Sequence, residues 1–165
     1  MGINSAILRV IGKTSIARFV ALLGSLFLLV IVGKSYGAES LGHFAMGQSA
    51  MLFIAIVARF GMNNSLIKFV GADPSSFRVK KYFKTAMVQS FFSSVGLVLL
   101  FFLFIFMFGE KFWVGYNLKV ITIMVLSSIP FTLLFIISGF MKGLGFPAKA
   151  SLIENGGGSL IAASV

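Results

Sequence analysis

Residues 86–108 read AMVQSFFSSVGLVLLFFLFIFMF, and this stretch decides the fold. It contains no charged residue and is long enough, as a helix, to cross the roughly 30 Å hydrocarbon core of a bilayer. The whole chain has the same character: 58% of its residues are apolar and 11% are charged, whereas soluble domains carry about 25% charged residues. A chain of 165 residues cannot bury so much apolar surface in its own core. The sequence therefore predicts an all-α, polytopic membrane protein.

Four apolar stretches are predicted to span the membrane as helices, and a fifth begins before the sequence ends. They are residues 16–33, 43–59, 86–108 and 120–141, followed by the partial stretch 148–165. The first is too long for the apolar part of a secretion signal and lacks a clean cleavage site, so we expect it to be retained. Residues 1–165 are thus predicted to form one membrane domain. Because the pattern stops within the fifth stretch, we expect a fragment of a longer protein.

A short amphipathic segment follows the second predicted span. Within residues 61–71, the apolar side chains stand at helical spacing: Met62, Leu66, Phe69 and Val70. Polar residues lie between them, which is typical of a short helix lying in the membrane interface.

Polar residues also occur inside the third and fourth predicted spans. Ser90, Ser93 and Ser94 lie in the first half of the third span, and small polar residues of this kind usually face other helices. Pro130 lies near the centre of the fourth span, where it removes a backbone hydrogen bond. We therefore expect a kink there.

The net charge of +10 is distributed asymmetrically along the chain. Of the 14 Lys and Arg residues, only Lys34, Lys111 and Lys119 fall on one side of the predicted spans, which leaves eleven on the other. This asymmetry predicts a cytoplasmic amino terminus. The densest positive cluster comprises Arg78, Lys80, Lys81 and Lys84. We interpret it as a topology signal that touches anionic lipid, and not as a nucleic-acid interface.

Enzymatic constellations are missing from the sequence. There is no cysteine, which excludes disulfides and thiolate chemistry, and His43 is the single histidine. The acids are Glu39, Asp73, Glu110 and Glu154, and each falls in a predicted loop or at a helix end. No carboxylate pair is placed for acid–base catalysis, and no predicted span carries a buried acid. We expect a protein that is not an enzyme and that has neither a metal nor a cofactor.

Cationic side chains near the span ends are the candidate binding residues. Arg18 lies just inside the first span, Arg59 closes the second, and Lys142 follows the fourth. One interpretation is that they reach out to lipid headgroups. The other is that they face a cavity and bind a diphosphate, since the planar guanidinium group suits phosphate oxygens.

Three segments, in order, resemble signatures of a known transporter family. They are YGAESLGHFA at 36–45, RFGMNNSLIKFV at 59–70 and SGFMKGLG at 138–145. Together they resemble the polysaccharide-exporter branch of the multidrug/oligosaccharidyl-lipid/polysaccharide (MOP) flippase superfamily, which contains the Wzx-type O-antigen flippases. Members of that family have many more spans, so the resemblance implies the first part of a MOP-like (MATE-like) helix bundle.

The resemblance also implies a function. Such a protein would flip an undecaprenyl-diphosphate-linked oligosaccharide across the bacterial inner membrane for lipopolysaccharide and other surface polysaccharide biosynthesis. Arg18 and Arg59 match the position of cations that line the family's cavity. The implied partners are the lipid-linked oligosaccharide, membrane lipids, and the polysaccharide polymerase and ligase machinery.

Three other classes of protein stay open at this point. A drug or cation antiporter of the same superfamily would need an acid within the membrane. A non-transporting four-helix membrane scaffold would need no binding residues at all. A membrane-bound transferase is disfavoured because acids and histidines are not clustered.

Overall fold

The computed structural model describes residues 2–74, 77–112 and 118–155, apart from the side chains of 2–11, 13, 14, 17, 21, 109–112 and 155. The described residues form helices and no strands. In chain order the helices are α1 (Gly2–Ala58), α2 (Met62–Ala72), α3 (Arg78–Phe112), α4 (Leu118–Gly143) and α5 (Pro147–Asn155). Three candidate membrane spans are long and apolar enough to cross a bilayer: Arg18–Ala58, Arg78–Phe108 and Leu118–Gly143. An all-helical fold compatible with a membrane protein is therefore confirmed.

The predicted spans 86–108 and 120–141 lie within α3 and α4. Helix α3 begins well before its predicted span, at Arg78, because basic residues are good helix formers that hydropathy does not register. The predicted partial stretch 148–165 begins as α5, and its residues 156–165 lie outside the described part of the chain.

The predicted spans 16–33 and 43–59 are two parts of α1, separated by a break at Gly37. Gly37 has φ 81° and ψ 173°, a backbone conformation that favours glycine. The candidate span that contains it has 41 residues. A straight helix of that length would extend about 62 Å, roughly twice the thickness of the hydrocarbon core. The break falls where the sequence predicted a connection.

Helix α4 is the centre of the bundle and packs against α1, α2, α3 and α5. In the apolar stretch of α4, 28% of the residues are buried, compared with 6% in that of α1 and 11% in that of α3. Apart from Ser138, its buried residues recur at spacings of three and four, which places them along one side of the helix: Ile121, Val125, Ser128, Thr132, Ile136, Gly139 and Gly143. Helix α4 also continues through Pro130 as one helix. The exposed apolar side chains of α1 and α3 are the surface that lipid would cover.

Two hydrophobic clusters hold the helices together. The first joins α2, α3 and α4 through Leu66, Val70, Val79, Ala86 and Ile136. The second joins α1, α3 and α4 through Ile54, Val98, Ile121 and Val125. Since α4 contributes to both, it connects the two ends of the bundle core.

Helix α2 crosses α4 at two glycines four residues apart, Gly139 and Gly143. A Cβ atom at Gly143 would lie 2.8 Å from the Val70 Cβ and 3.1 Å from the Leu66 carbonyl oxygen, and one at Gly139 would collide with Asn63. Small residues at this spacing let helix backbones approach closely. The short helix predicted after the second span is thus confirmed. Its buried residues, Leu66 and Val70, pack against α3 and α4.

The serines of α3 face protein, as the sequence predicts, because Ser90 and Ser94 are fully buried and Ser93 is partly buried. The Ser94 hydroxyl donates to the Phe91 carbonyl at 2.8 Å. The Ser90 hydroxyl is buried without a hydrogen-bond partner.

Candidate functional site

A tight turn after α4 brings the chain back along the bundle. Gly145 has φ 86° and its N–H donates to the Lys142 carbonyl at 3.1 Å, while the Phe146 N–H donates to the Met141 carbonyl at 2.9 Å. This pair of bonds is the Schellman motif, which requires a left-handed residue after the helix end. As a result α5 begins at once and packs back against α4.

One carboxylate oxygen connects α5 to α4. The Lys142 ammonium group pairs with Oε2 of Glu154, and the two side chains are only 20% and 18% exposed. The Ser138 hydroxyl lies 3.1 Å from the same oxygen and 3.1 Å from the Ala150 carbonyl oxygen. Ser138 and Lys142 are four residues apart, so they lie on one face of α4. Glu154 and Ala150 have the same spacing on α5.

Arg59 lies in the turn after α1 at the same end of the bundle. Its Nε donates to the Ala55 carbonyl at 2.8 Å, and its guanidinium carbon lies 3.9 Å from the centroid of the Phe135 ring. Burial lowers the pKa of the Arg59 guanidinium, and the negative charge of Glu154 opposes only part of that shift. The Arg59 guanidinium is therefore partly removed from water, and the charge of Glu154 offsets only part of the cost of that burial.

We call Arg59, Ser138, Lys142 and Glu154 the charge cluster. Two cations and one carboxylate give it a formal charge of +1, because the sum is two minus one. Such a cluster can accept an additional anion at Arg59. A partly buried carboxylate among cations can also take part in proton or cation movement within a membrane.

The structure brings together two of the three predicted binding residues, Arg59 and Lys142, around Glu154. Lys142 is engaged by Glu154, which the sequence did not indicate. Arg18 is exposed on the first part of α1, and no described contact joins it to the charge cluster. Glu154 lies near the end of a helix, as predicted, and its side chain is partly buried because α5 returns along α4 and also packs on α1.

Comparison with protein-family models, with curated proteins and with solved structures finds no match to this chain. The resemblance to the flippase family therefore rests on the sequence segments at 36–45, 59–70 and 138–145. In the described part of the chain, no group of three or more His, Asp or Glu side chains is placed to hold a metal ion.

Proposed function

We propose that this chain forms the first part of the first helix bundle of a Wzx-type flippase of the bacterial inner membrane, with a cytoplasmic amino terminus. The two parts of α1 on either side of Gly37 are then separate spans. Helices α3 and α4 are the third and fourth spans, and α5 begins a fifth. The substrate is an undecaprenyl-diphosphate-linked oligosaccharide that the polysaccharide polymerase and ligase use next. The three motif segments and the asymmetry of Lys and Arg support this proposal.

The observation that carries the proposal is the environment of Arg59. Its guanidinium is held in place by the Ala55 carbonyl and the Phe135 ring, so it is preorganised. Glu154, whose charge acts on Arg59, is already paired with Lys142. A diphosphate group would supply the missing negative charge and match the planar fork of the arginine.

Two further cations have secondary roles in this proposal. Lys142 reaches the diphosphate only when Glu154 releases it. Arg18 binds either a lipid headgroup or the substrate when the first part of α1 approaches the cavity. Rocking of this bundle against its counterpart would then expose the site to each side of the membrane in turn.

The test is transport of a fluorescent lipid-linked oligosaccharide by the full native protein in proteoliposomes. We expect Arg59→Gln to lower the rate by about tenfold or more, since a hydrogen bond to a charged group contributes about 1.5–3 kcal/mol. The transport rate of Arg59→Lys should lie between those of the unmodified protein and Arg59→Gln, because lysine keeps the charge but binds phosphate only as a point charge. Lys68→Gln, which removes an exposed cation of α2, is the matched control. Equal rates for Arg59→Gln and Lys68→Gln would refute the role of Arg59.

A drug or cation antiporter is the second candidate, and the burial of Glu154 is the observation that favours it. A carboxylate shared by Ser138 and Lys142 inside a helix bundle is the kind of group that couples transport to an ion gradient. In that case Glu154→Gln should abolish gradient-driven transport of a cationic dye. If the lipid-linked oligosaccharide is the substrate, the unmodified protein should move no dye, and Glu154→Gln should retain flipping.

A further inference from the structure

A groove of about 720 Å³ runs between α2 and the first turns of α3, and no residue of the charge cluster lines it. We call it the α2–α3 groove. Its volume is within the range of about 300–1,000 Å³ that is usual for sites of small molecules. Its lining includes Leu66, Phe69, Phe77, Arg78, Lys81 and Tyr82. It thus combines apolar and aromatic walls with two cations.

The groove lies at the edge of the predicted membrane region. Helix α2 has 11 residues and would extend only about 17 Å, so it is too short to cross a bilayer. Helix α3 begins at Arg78 with its basic residues and continues into its apolar span. From Arg78 to Ala86, which also lines the groove, α3 rises about 12 Å. The groove therefore extends from headgroup level toward the hydrocarbon.

The charges at the mouth favour an anionic occupant. Arg78 and Lys81 lie in the first turns of α3, where the positive end of the helix dipole disfavours cations. The first turn of α3 contains no acid, and Asp73 is the single acid between residues 40 and 109. A phosphate group at the mouth would stabilise both side chains and the helix end.

The walls favour an occupant with a hydrocarbon tail. The Phe69 and Tyr82 rings stack with their centroids 5.5 Å apart and form one wall across α2 and α3. Phe77, at the mouth, is 91% exposed. A large aromatic side chain in this position is poorly placed against water and well placed against lipid.

We propose that the α2–α3 groove is a specific site for an anionic phospholipid, with the phosphate at Arg78 and Lys81 and one acyl chain along Leu66 and Phe69. This site is separate from the charge cluster and does not depend on which substrate the protein transports. A lipid bound there fixes α2 against α3, since it contacts both helices.

The experiment is native mass spectrometry of the full native protein in neutral detergent, titrated with phosphatidylglycerol or phosphatidylcholine. We expect one tightly bound phosphatidylglycerol per chain and much weaker binding of phosphatidylcholine. The paired variant Arg78→Gln/Lys81→Gln should weaken the binding of phosphatidylglycerol by about tenfold, since charge-assisted hydrogen bonds contribute on that order.

The matched control is Lys80→Gln/Lys84→Gln, which removes the same charge from the same turns of α3 outside the groove. Its affinity for phosphatidylglycerol should stay within about twofold of that of the unmodified protein, because binding depends on direct contact with the phosphate and only weakly on distant, screened charges. Equal losses in the two pairs would overturn the proposal. A second variant, Thr85→Trp, keeps every charge and fills the groove, and it should also abolish binding.

Two competitors identify the source of the phosphate. Millimolar inorganic phosphate should not displace phosphatidylglycerol if the tail contributes to binding. Displacement by inorganic phosphate would show an anion site without lipid specificity and would refute the proposal. The proposal would also be refuted if a photoactivatable phosphatidylglycerol crosslinked mainly to residues outside α2 and α3.

Discussion

Gly143→Ala adds one methyl group at the place where α2 crosses α4, and we expect it to loosen that crossing. The new Cβ would lie 2.8 Å from the Val70 Cβ and 3.1 Å from the Leu66 carbonyl oxygen. Neither atom can rotate out of the way, because one is attached to the backbone and the other belongs to it. Overpacking of this kind costs about 1–3 kcal/mol. Alanine regains up to about 1 kcal/mol through helix propensity, so the net loss should be about 1–2 kcal/mol.

The assay uses the absence of native cysteine, which makes a single introduced thiol a clean reporter. Ala86 is 1% exposed and belongs to the cluster that α2 covers, so Ala86→Cys should react with a maleimide only when α2 moves away. In that background a loss of 1–2 kcal/mol raises the population of the open state about 5- to 30-fold. When Gly143→Ala is added, the rate at which maleimide labels Ala86→Cys should rise by the same factor.

Gly96→Ala on α3 is the matched control, since a Cβ there meets nothing within 4 Å. Its labelling rate should stay the same or fall slightly. If Gly143→Ala and Gly96→Ala label at the same rate, close contact at Gly143 does not hold α2, and the packing argument fails.

Three other predictions concern stability, measured by titration with dodecyl sulfate in mixed micelles. Gly37→Ala should cost about 1–3 kcal/mol, because φ is 81° and ψ is 173° there, a region that is essentially restricted to glycine. Gly42→Ala should be neutral or slightly stabilising, because a Cβ there meets nothing within 4 Å; equal effects would contradict the break in α1. Ser90→Ala should leave the free energy of unfolding unchanged or raise it, because that hydroxyl has no partner; a loss above about 1 kcal/mol would reveal a missing contact. Lys142→Gln and Glu154→Gln should each destabilise, and the double variant should lose less than their sum by about 0.5–3 kcal/mol; additivity would mean that the pair does not couple.

The long apolar runs predict most of this fold because burial in lipid needs only length and hydropathy. The apolar runs therefore located α3 and α4, and helical spacing located α2. The burial of Ser90 and Ser94 was predicted because small polar residues within a span usually face other helices. The start of α3 at Arg78 was not predicted, since hydropathy is insensitive to charged helical turns that extend beyond the hydrocarbon.

The candidate site was predictable only in part. Arg59 and Lys142 could be chosen because a cation at a span end can reach either a lipid headgroup or a phosphate in a cavity. The role of Glu154 could not, because its burial depends on the angle at which α5 returns along α4, and a pattern within one helix contains no information about that angle. The close approach of Gly139 and Gly143 to residues of α2 was unpredictable for the same reason, because it depends on how two helices cross.

The central position of α4 has a consequence for how the protein is made. Helices α1, α2 and α3 each pack on α4, and α1 makes no substantial contact with α2. During synthesis α1 ends at Ala58, whereas α4 is complete only at Gly143, which is 143 − 58 = 85 residues later. At about 5–20 residues per second the earlier helices wait about 4–17 s for their partner. During that interval α1, α2 and α3 each lack the helix that they contact most extensively, so we expect them to be held at the insertion machinery and released into lipid only with α4.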